Sequence, residues 1–181
     1  SAKRCVYSAE LRESRILSKL NKLIMTTQLI LFATILTYSM IVSQSFMYIL
    51  SLKRVQVALE AIPYMELRKG IDASMRRNFK YVVYGALLTN LLLVISTIKN
   101  PGSLLFIAAT IAFVALIIDT LITVKGNLPI NDVINGWTDD NYPVNWADYR
   151  TQWLKTFQYR QIANIAGFVS LLVGAVFGSK F

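Results

Sequence analysis

Apolar and polar positions separate cleanly along this chain. Residues 23–52, 81–98 and 161–179 carry no charge, and residues 100–124 carry one, Asp119. A helix needs about 20 mostly apolar residues to cross a bilayer core of roughly 30 Å. The pattern therefore predicts spans over about 23–52, 81–98, 103–124 and 161–179, and an all-α, four-transmembrane-helix bundle. Spans and connectors use nearly all of the 181 residues, so the expectation is a single membrane domain over 1–181.

The polar segments add detail. Residues 1–22 are basic, and Glu10, Arg12, Glu13, Arg15 and Lys19 fall at helical spacings. This predicts an interfacial helix leading into the first span. The first span could reach about 45 Å at 1.5 Å per residue, so it must tilt or project. It bears a polar stripe of Thr34, Thr37, Tyr38, Gln44, Ser45 and Tyr48. Hydrocarbon offers such groups no partner, so the stripe should turn inward, either joining helices or lining a cavity. In the charged connector 53–80, Pro63 breaks or starts a helix, and Glu66–Lys80 should extend the second span beyond the membrane. Asn90, near the middle of the second span, needs a hydrogen-bond partner on another helix, and Lys99-Asn100-Pro101-Gly102 reads as a tight turn.

Residues 125–145 are rich in Asn, Asp, Gly and Pro and read as a loop held by side-chain-to-backbone bonds. Asn145 is then expected as an N-cap, with Asp148 in a capping-box role. Trp146, Tyr149, Trp153, Phe157 and Arg160 form an aromatic stripe that ends in a cation. Trp and Tyr favour membrane interfaces, which predicts an interfacial helix running into the fourth span. That span carries Ala163, Gly167, Ser170, Gly174 and Gly178, a ladder of small residues that lets another helix approach, within the fold or in a dimer.

Composition narrows the chemistry. The net charge of +9 comes from 19 Lys and Arg against 10 Asp and Glu. Most of the cations flank spans, where they orient the chain and meet lipid headgroups, so membrane lipid is an expected partner and nucleic acid is not. Cys5 is the sole cysteine, read as a free thiol, and histidine is absent. These facts exclude an intrachain disulfide, an iron–sulfur cluster and a Cys/His zinc site, and no cofactor is expected. The first apolar stretch is too long for a signal-peptide core and is read as retained. Basic residues are somewhat more numerous on the face opposite the termini. The basic tail before the first span nevertheless favours cytoplasmic termini, because the first helix usually dominates.

Asp119 is the main candidate for chemistry, the only charge inside a span and about 9 Å from that helix's end. Intramembrane carboxylates need a partner. Arg160, at the start of the neighbouring span, can supply one, which would make the pair structural; an unpaired, protonated Asp119 facing a cavity could instead serve as a general base. Asn127 and Asn131 bracket Pro129 at i, i+4 and form either a self-bonded turn or a polar lid. Asn90, Tyr38, Gln44, Asn127, Asn131 and Arg160 are the candidate ligand-binding residues around Asp119, and together they predict a small, mostly apolar cavity covered at its end by the 127–131 segment.

The run Gly126-Asn127-Leu128-Pro129-Ile130-Asn131 after a third span, and the series Trp146…Arg150…Trp153…Arg160 leading into a fourth, resemble motifs of small four-helix membrane proteins related to anthrone oxygenases. The resemblance is specific over about residues 119–168. It implies a membrane four-helix bundle, and in some family members oxygenation of anthrones without metal or flavin. This chain departs from the enzymatic members in lacking histidine, a natural proton acceptor for a phenolic substrate.

Two function classes follow. The chain binds, and in the enzymatic version oxidises without a metal or flavin, an apolar small molecule inside the bundle. Alternatively it is a non-catalytic structural or accessory subunit that packs against another membrane protein or a second copy of itself.

Overall fold

The computed structural model describes residues 2–178, and side chains within it for residues 12, 14–19 and 21–178. Four long helical rods form an antiparallel bundle. The first consists of α1 (Ala2–Met47), a π turn (Tyr48–Leu52) and α2 (Lys53–Ala58). The second is α3 (Ala61–Ser74), a π turn (Met75–Phe79) and α4 (Lys80–Thr97). The third is α5 (Leu104–Ile122), a π turn (Thr123–Asn127) and α6 (Leu128–Asn135). The fourth is a single helix, α7 (Trp146–Phe177). Neighbours around the bundle run α1, α4, α5, α7 and back to α1, and α5 shares its largest contact with α7.

Local chemistry sets the rod ends. Leu59 and Glu60 adopt extended backbone and break the first rod from the second. Pro63 then sits in the first turn of α3, where the helix has no use for its missing N–H. Ser103 caps α5 by accepting from the Phe106 N–H at 3.2 Å. At α7, Asn145 occupies the cap position without a side-chain cap bond, so the expected capping box is absent; the Asp148 N–H donates to the Asn145 carbonyl instead.

One further expectation is corrected. Residues 127–131 are helical rather than a loop. Pro129 cannot donate to the carbonyl four residues back, and the chain widens into a π turn directly before it. The aromatic stripe 146–157 runs into the fourth span as the first half of α7, and its Trp153 and Phe157 are buried against other rods.

All four rods are long and apolar enough to cross a membrane. Their outward faces stay apolar: Leu29 and Phe32 on α1, Leu88 and Ile95 on α4, Ile111 and Val114 on α5, and Ile162 and Val176 on α7 are exposed. Inside, two hydrophobic clusters divide the bundle. One joins Tyr38, Ile41, Leu93, Leu105, Ala109, Ala112, Leu116 and Leu171. The other, at the end with the 59–60 and 136–145 connections, joins Tyr48, Tyr64, Met65, Ile130, Ile134, Trp137, Trp153 and Phe157.

The small-residue ladder packs as expected. A β-carbon on Gly174 would lie 2.5 Å from Ala108 Cβ, and one on Gly167 would lie 2.7 Å from Ala115 Cβ and overlap the Tyr38 hydroxyl. The polar stripe of α1 also turns inward: Thr34, Tyr38, Ser45 and Tyr48 are buried, and Thr37 Oγ1 meets Thr89 Oγ1 at 3.0 Å across the α1–α4 contact.

Candidate functional site: a cleft with a buried polar wall

The three π turns lie around one cleft. Such turns shift the side-chain register and often mark functional positions in helices. Tyr48, Met75, Phe79, Thr123 and Asn127 from these turns stand on its wall, together with Gln44, Arg68, Asp72, Asp119, Asn131, Trp153, Phe157 and Arg160. Its volume is about 620 Å³. Met47, Ile71, Val83, Val124 and Leu128 add an apolar lining, and the exposed Met47, Lys80, Tyr84 and Val124 show that one side is open.

A hydrogen-bond network forms the inner end. Asp72 on α3 accepts from Asn131 Nδ2 at 2.7 Å, Asn135 Nδ2 at 2.8 Å and Arg76 Nε at 2.8 Å. Asn131 Oδ1 accepts from Arg68 Nη2 at 3.0 Å and Trp153 Nε1 at 2.8 Å. Asn127 Nδ2 donates to the Trp153 carbonyl at 3.1 Å. The two asparagines of the Gly126–Asn131 run therefore grip Trp153 of α7. They do not form a self-bonded turn, because a helix points them one turn apart toward the same neighbour. Gly126 serves the same approach, since a β-carbon there would lie 2.5 Å from Thr156 Cγ2.

Asp119 and Arg160 meet beside this network. Arg160 Nε donates to Asp119 Oδ1 at 2.6 Å, and its Nη1 reaches Asn127 Oδ1 at 3.4 Å. The pair crosses from α5 to α7 with both side chains largely buried. Of the two arrangements open to Asp119, this is the paired one, with its carboxylate bound by Arg160 across two rods.

Gln44, Asn127, Asn131, Arg160 and Asp119 thus share the cleft wall. Tyr38 and Asn90 do not join them. Tyr38 is fully buried in the neighbouring apolar cluster, with its hydroxyl 3.4 Å from the Ala112 carbonyl. Asn90 is also fully buried, and neither end of its amide has a partner among the described residues. Both do point inward, but they lie at another level of the bundle. Inward orientation alone does not fix axial position.

The sequence reading missed Arg68, Asp72 and Tyr48 as site residues. Arg68 and Asp72 lie in the charged connector, where charges normally face water. Their i, i+4 spacing with Tyr64, Arg68 and Asp72 on one face of α3 was the available signal. Arg68 is 3% exposed and lies over the Trp153 ring, 3.8 Å from its centroid. Its Nη1 donates to the Tyr48 hydroxyl at 3.1 Å, while its Nε is buried without an acceptor. Arg150 ties the end together by donating to the carbonyls of Gln56 and Leu59 at 3.2 and 2.8 Å.

Among the described residues, no three His, Cys, Asp or Glu side chains are grouped to hold a metal ion. Comparison with protein-family models, curated proteins and solved structures finds no match to this chain.

Proposed function

We propose that this chain is an integral, multi-pass membrane protein that holds an apolar small molecule in the cleft between its rods. The membrane reading rests on the apolar outer belt, since an exposed band of this extent on every rod needs lipid around it. α7 has 32 residues and reaches about 48 Å, against a bilayer core of roughly 30 Å. The bilayer then surrounds the Gly167–Gly174 half, and the end carrying Arg68 projects past it. On this reading the Trp146–Arg160 half of α7 passes through the interface. The basic tail favours cytoplasmic termini.

The cleft is the observation that carries the ligand reading. Its volume falls within the 300–1,000 Å³ of ordinary small-molecule sites, and its lining is apolar with a few placed polar groups. The residues that resemble anthrone-oxygenase-like proteins stand on or beside it, which supports a shared ligand-holding use. Oxidation of the ligand would need a proton acceptor, and the Arg160 pairing of Asp119 makes binding the better-supported activity.

The test is purification in mild detergent, followed by mass spectrometry for a co-purified apolar compound. Val124→Trp, at the open side, should remove the compound, whereas Leu29→Trp on the outer face should retain it. A chain that carries no apolar compound, and gains no thermal protection from any added one, would leave the structural-subunit reading in its place.

A further inference from the structure

We propose that the cleft takes an amphiphile with a single negative charge, a long-chain monocarboxylate whose head is held by Arg68 and Tyr48. This deepens the ligand reading above and rests on it.

Charge comes first. Four cations, Arg68, Arg76, Lys80 and Arg160, stand on the wall against two carboxylates, Asp72 and Asp119. Arg160 is bound to Asp119, and Arg76 is bound to Asp72 and to Asp132 off the wall. Arg68 forms no ion pair within 4.0 Å among the described residues, although it is 3% exposed. A buried cation without a counter-ion is strongly disfavoured, and an anionic ligand relieves that state.

Donor geometry points the same way. A guanidinium has five N–H donors. Arg68 directs Nη1 to Tyr48 and Nη2 to Asn131, and its Nε–H has no acceptor. The Tyr48 oxygen accepts from both Arg68 Nη1 at 3.1 Å and Gln56 Nε2 at 3.0 Å. Both of its lone pairs are thereby engaged, and toward a ligand it can act only as a donor. Two unused donors, one on each of two hydrogen-bonded cleft-wall residues, offer an oxyanion its partners. Lys80, also without an ion pair among the described residues, is exposed at the far end of the wall, so the buried end offers one unpaired guanidinium to one negative charge, which selects a monocarboxylate over a phosphate monoester.

Shape supplies the tail. Along the second rod the lining runs from Arg68 to Tyr84, about 24 Å at 1.5 Å per residue. Beyond Arg68 its apolar positions are Ile71, Met75, Phe79 and Val83, beside the mutually paired Asp72 and Arg76, and it ends at the exposed Tyr84 beside Lys80. An acyl chain can enter there from the bilayer while its head lies at the buried end.

The experiment uses the full chain in a neutral maltoside detergent and compares palmitic acid, its methyl ester and its alcohol by equilibrium binding. A lost charge-assisted hydrogen bond corresponds to about tenfold to a hundredfold in affinity, and the acid should exceed both neutral forms by that factor. Tyr48→Phe and Arg68→Lys should each weaken acid binding while leaving ester binding unchanged. The acid-against-ester comparison needs no variant, so it decides the matter even if a variant does not fold. Equal binding of acid and ester overturns the anionic head but leaves the apolar-ligand reading standing. Tighter binding of a lysophosphatidate than of the acid, or displacement of the acid by inorganic phosphate, overturns the monocarboxylate. Failure of all three palmitoyl compounds, with no co-purified compound sensitive to Val124→Trp, overturns both readings.

Discussion

The two ends of this bundle solve the same packing problem in opposite ways. At the end near the 98–103 turn, α5 and α7 approach through Gly167, Gly174, Ala108 and Ala115, where even one added carbon would collide. At the other end, rings fill the space between the rods. Tyr48 lies 5.6 Å from Trp153 and 4.3 Å from Phe157, and Trp137 meets Tyr149 edge-on at 5.3 Å. Small residues give direct backbone approach with little need for polar contacts. Large rings stand between the rods, and hydrogen bonds that involve Asp72, Asn131, Arg68 and Arg150 cross the same end. The difference explains why the cleft lies at the ring-rich end. It also predicts how each end should fail.

The largest effect is expected at the wide end. Asp72→Ala removes the acceptor of three donors at once and leaves the buried Asn131 Nδ2 without a partner. Each lost bond to a buried charge is worth about 1.5–3 kcal/mol, and the total should approach about 4 kcal/mol because Arg76 and Asn135 are exposed and recover water. Thermal unfolding in detergent measures this. A shift no greater than that of Asp139→Ala, on the exposed 136–145 connection, would show that the network does not join the rods.

The tight end should respond to added volume instead. Gly174→Leu places a branched side chain where a single β-carbon would already lie 2.5 Å from Ala108 Cβ. Overpacking of this kind costs about 1–3 kcal/mol, and the upper end applies because the Leu105 backbone also stands within 3.5 Å. Ala108→Gly in the same chain should recover part of the loss. If Gly174→Leu unfolds with the parent protein, the close approach of α5 and α7 is refuted.

The two ends were unequally legible in the sequence. The four rods followed from charge-free length alone, and the glycine ladder followed from spacing, because both depend on local pattern. The Asp119–Arg160 pair was also legible: a lone charge within an apolar run must find a partner, and few were within reach. The wide end was obscured for two reasons. A connector as charged as 53–80 ordinarily faces water, so nothing local marked Arg68 and Asp72 as buried. Gly126, Pro129 and three asparagines imitate a loop, and only contact with Trp153 explains why the segment stays helical. Tyr38 and Asn90 failed as cleft residues for a related reason. Period shows which face of a helix is polar, but the depth of each polar group depends on partners distant in sequence.

A smaller effect tests whether the first connection depends on α7. Arg150→Met removes two donors from the carbonyls that end α2, Gln56 and Leu59. Cations at a helix C-terminus satisfy these orphan acceptors, which water can reach in part at this site. The expected loss is about 1.5 kcal/mol, with faster amide exchange confined to residues 56–61 and not spread to α5. Exchange that rises equally in both ends would mean that the ends are not separable units.

The smallest effect lies at the tight end. Ser103→Ala deletes the side-chain acceptor for the Phe106 N–H and so one of the few polar devices that end uses. N-cap removal costs about 1 kcal/mol where the orphan donor has no substitute. Here the turn itself offers partial support, because Ser103 N–H still donates to the Asn100 carbonyl at 2.9 Å and fixes entry into α5. The helix that follows is locked against α7 at Leu105 and Ala108 only two and five residues later. The loss should therefore be at most about 1 kcal/mol, and it should leave ligand binding at the other end unchanged. Ser103→Asp, which keeps an acceptor and adds charge favourable to the helix dipole, should match or exceed the parent in stability. A Ser103→Ala chain that also lost acid binding would couple the two ends, against the division of labour that their packing implies.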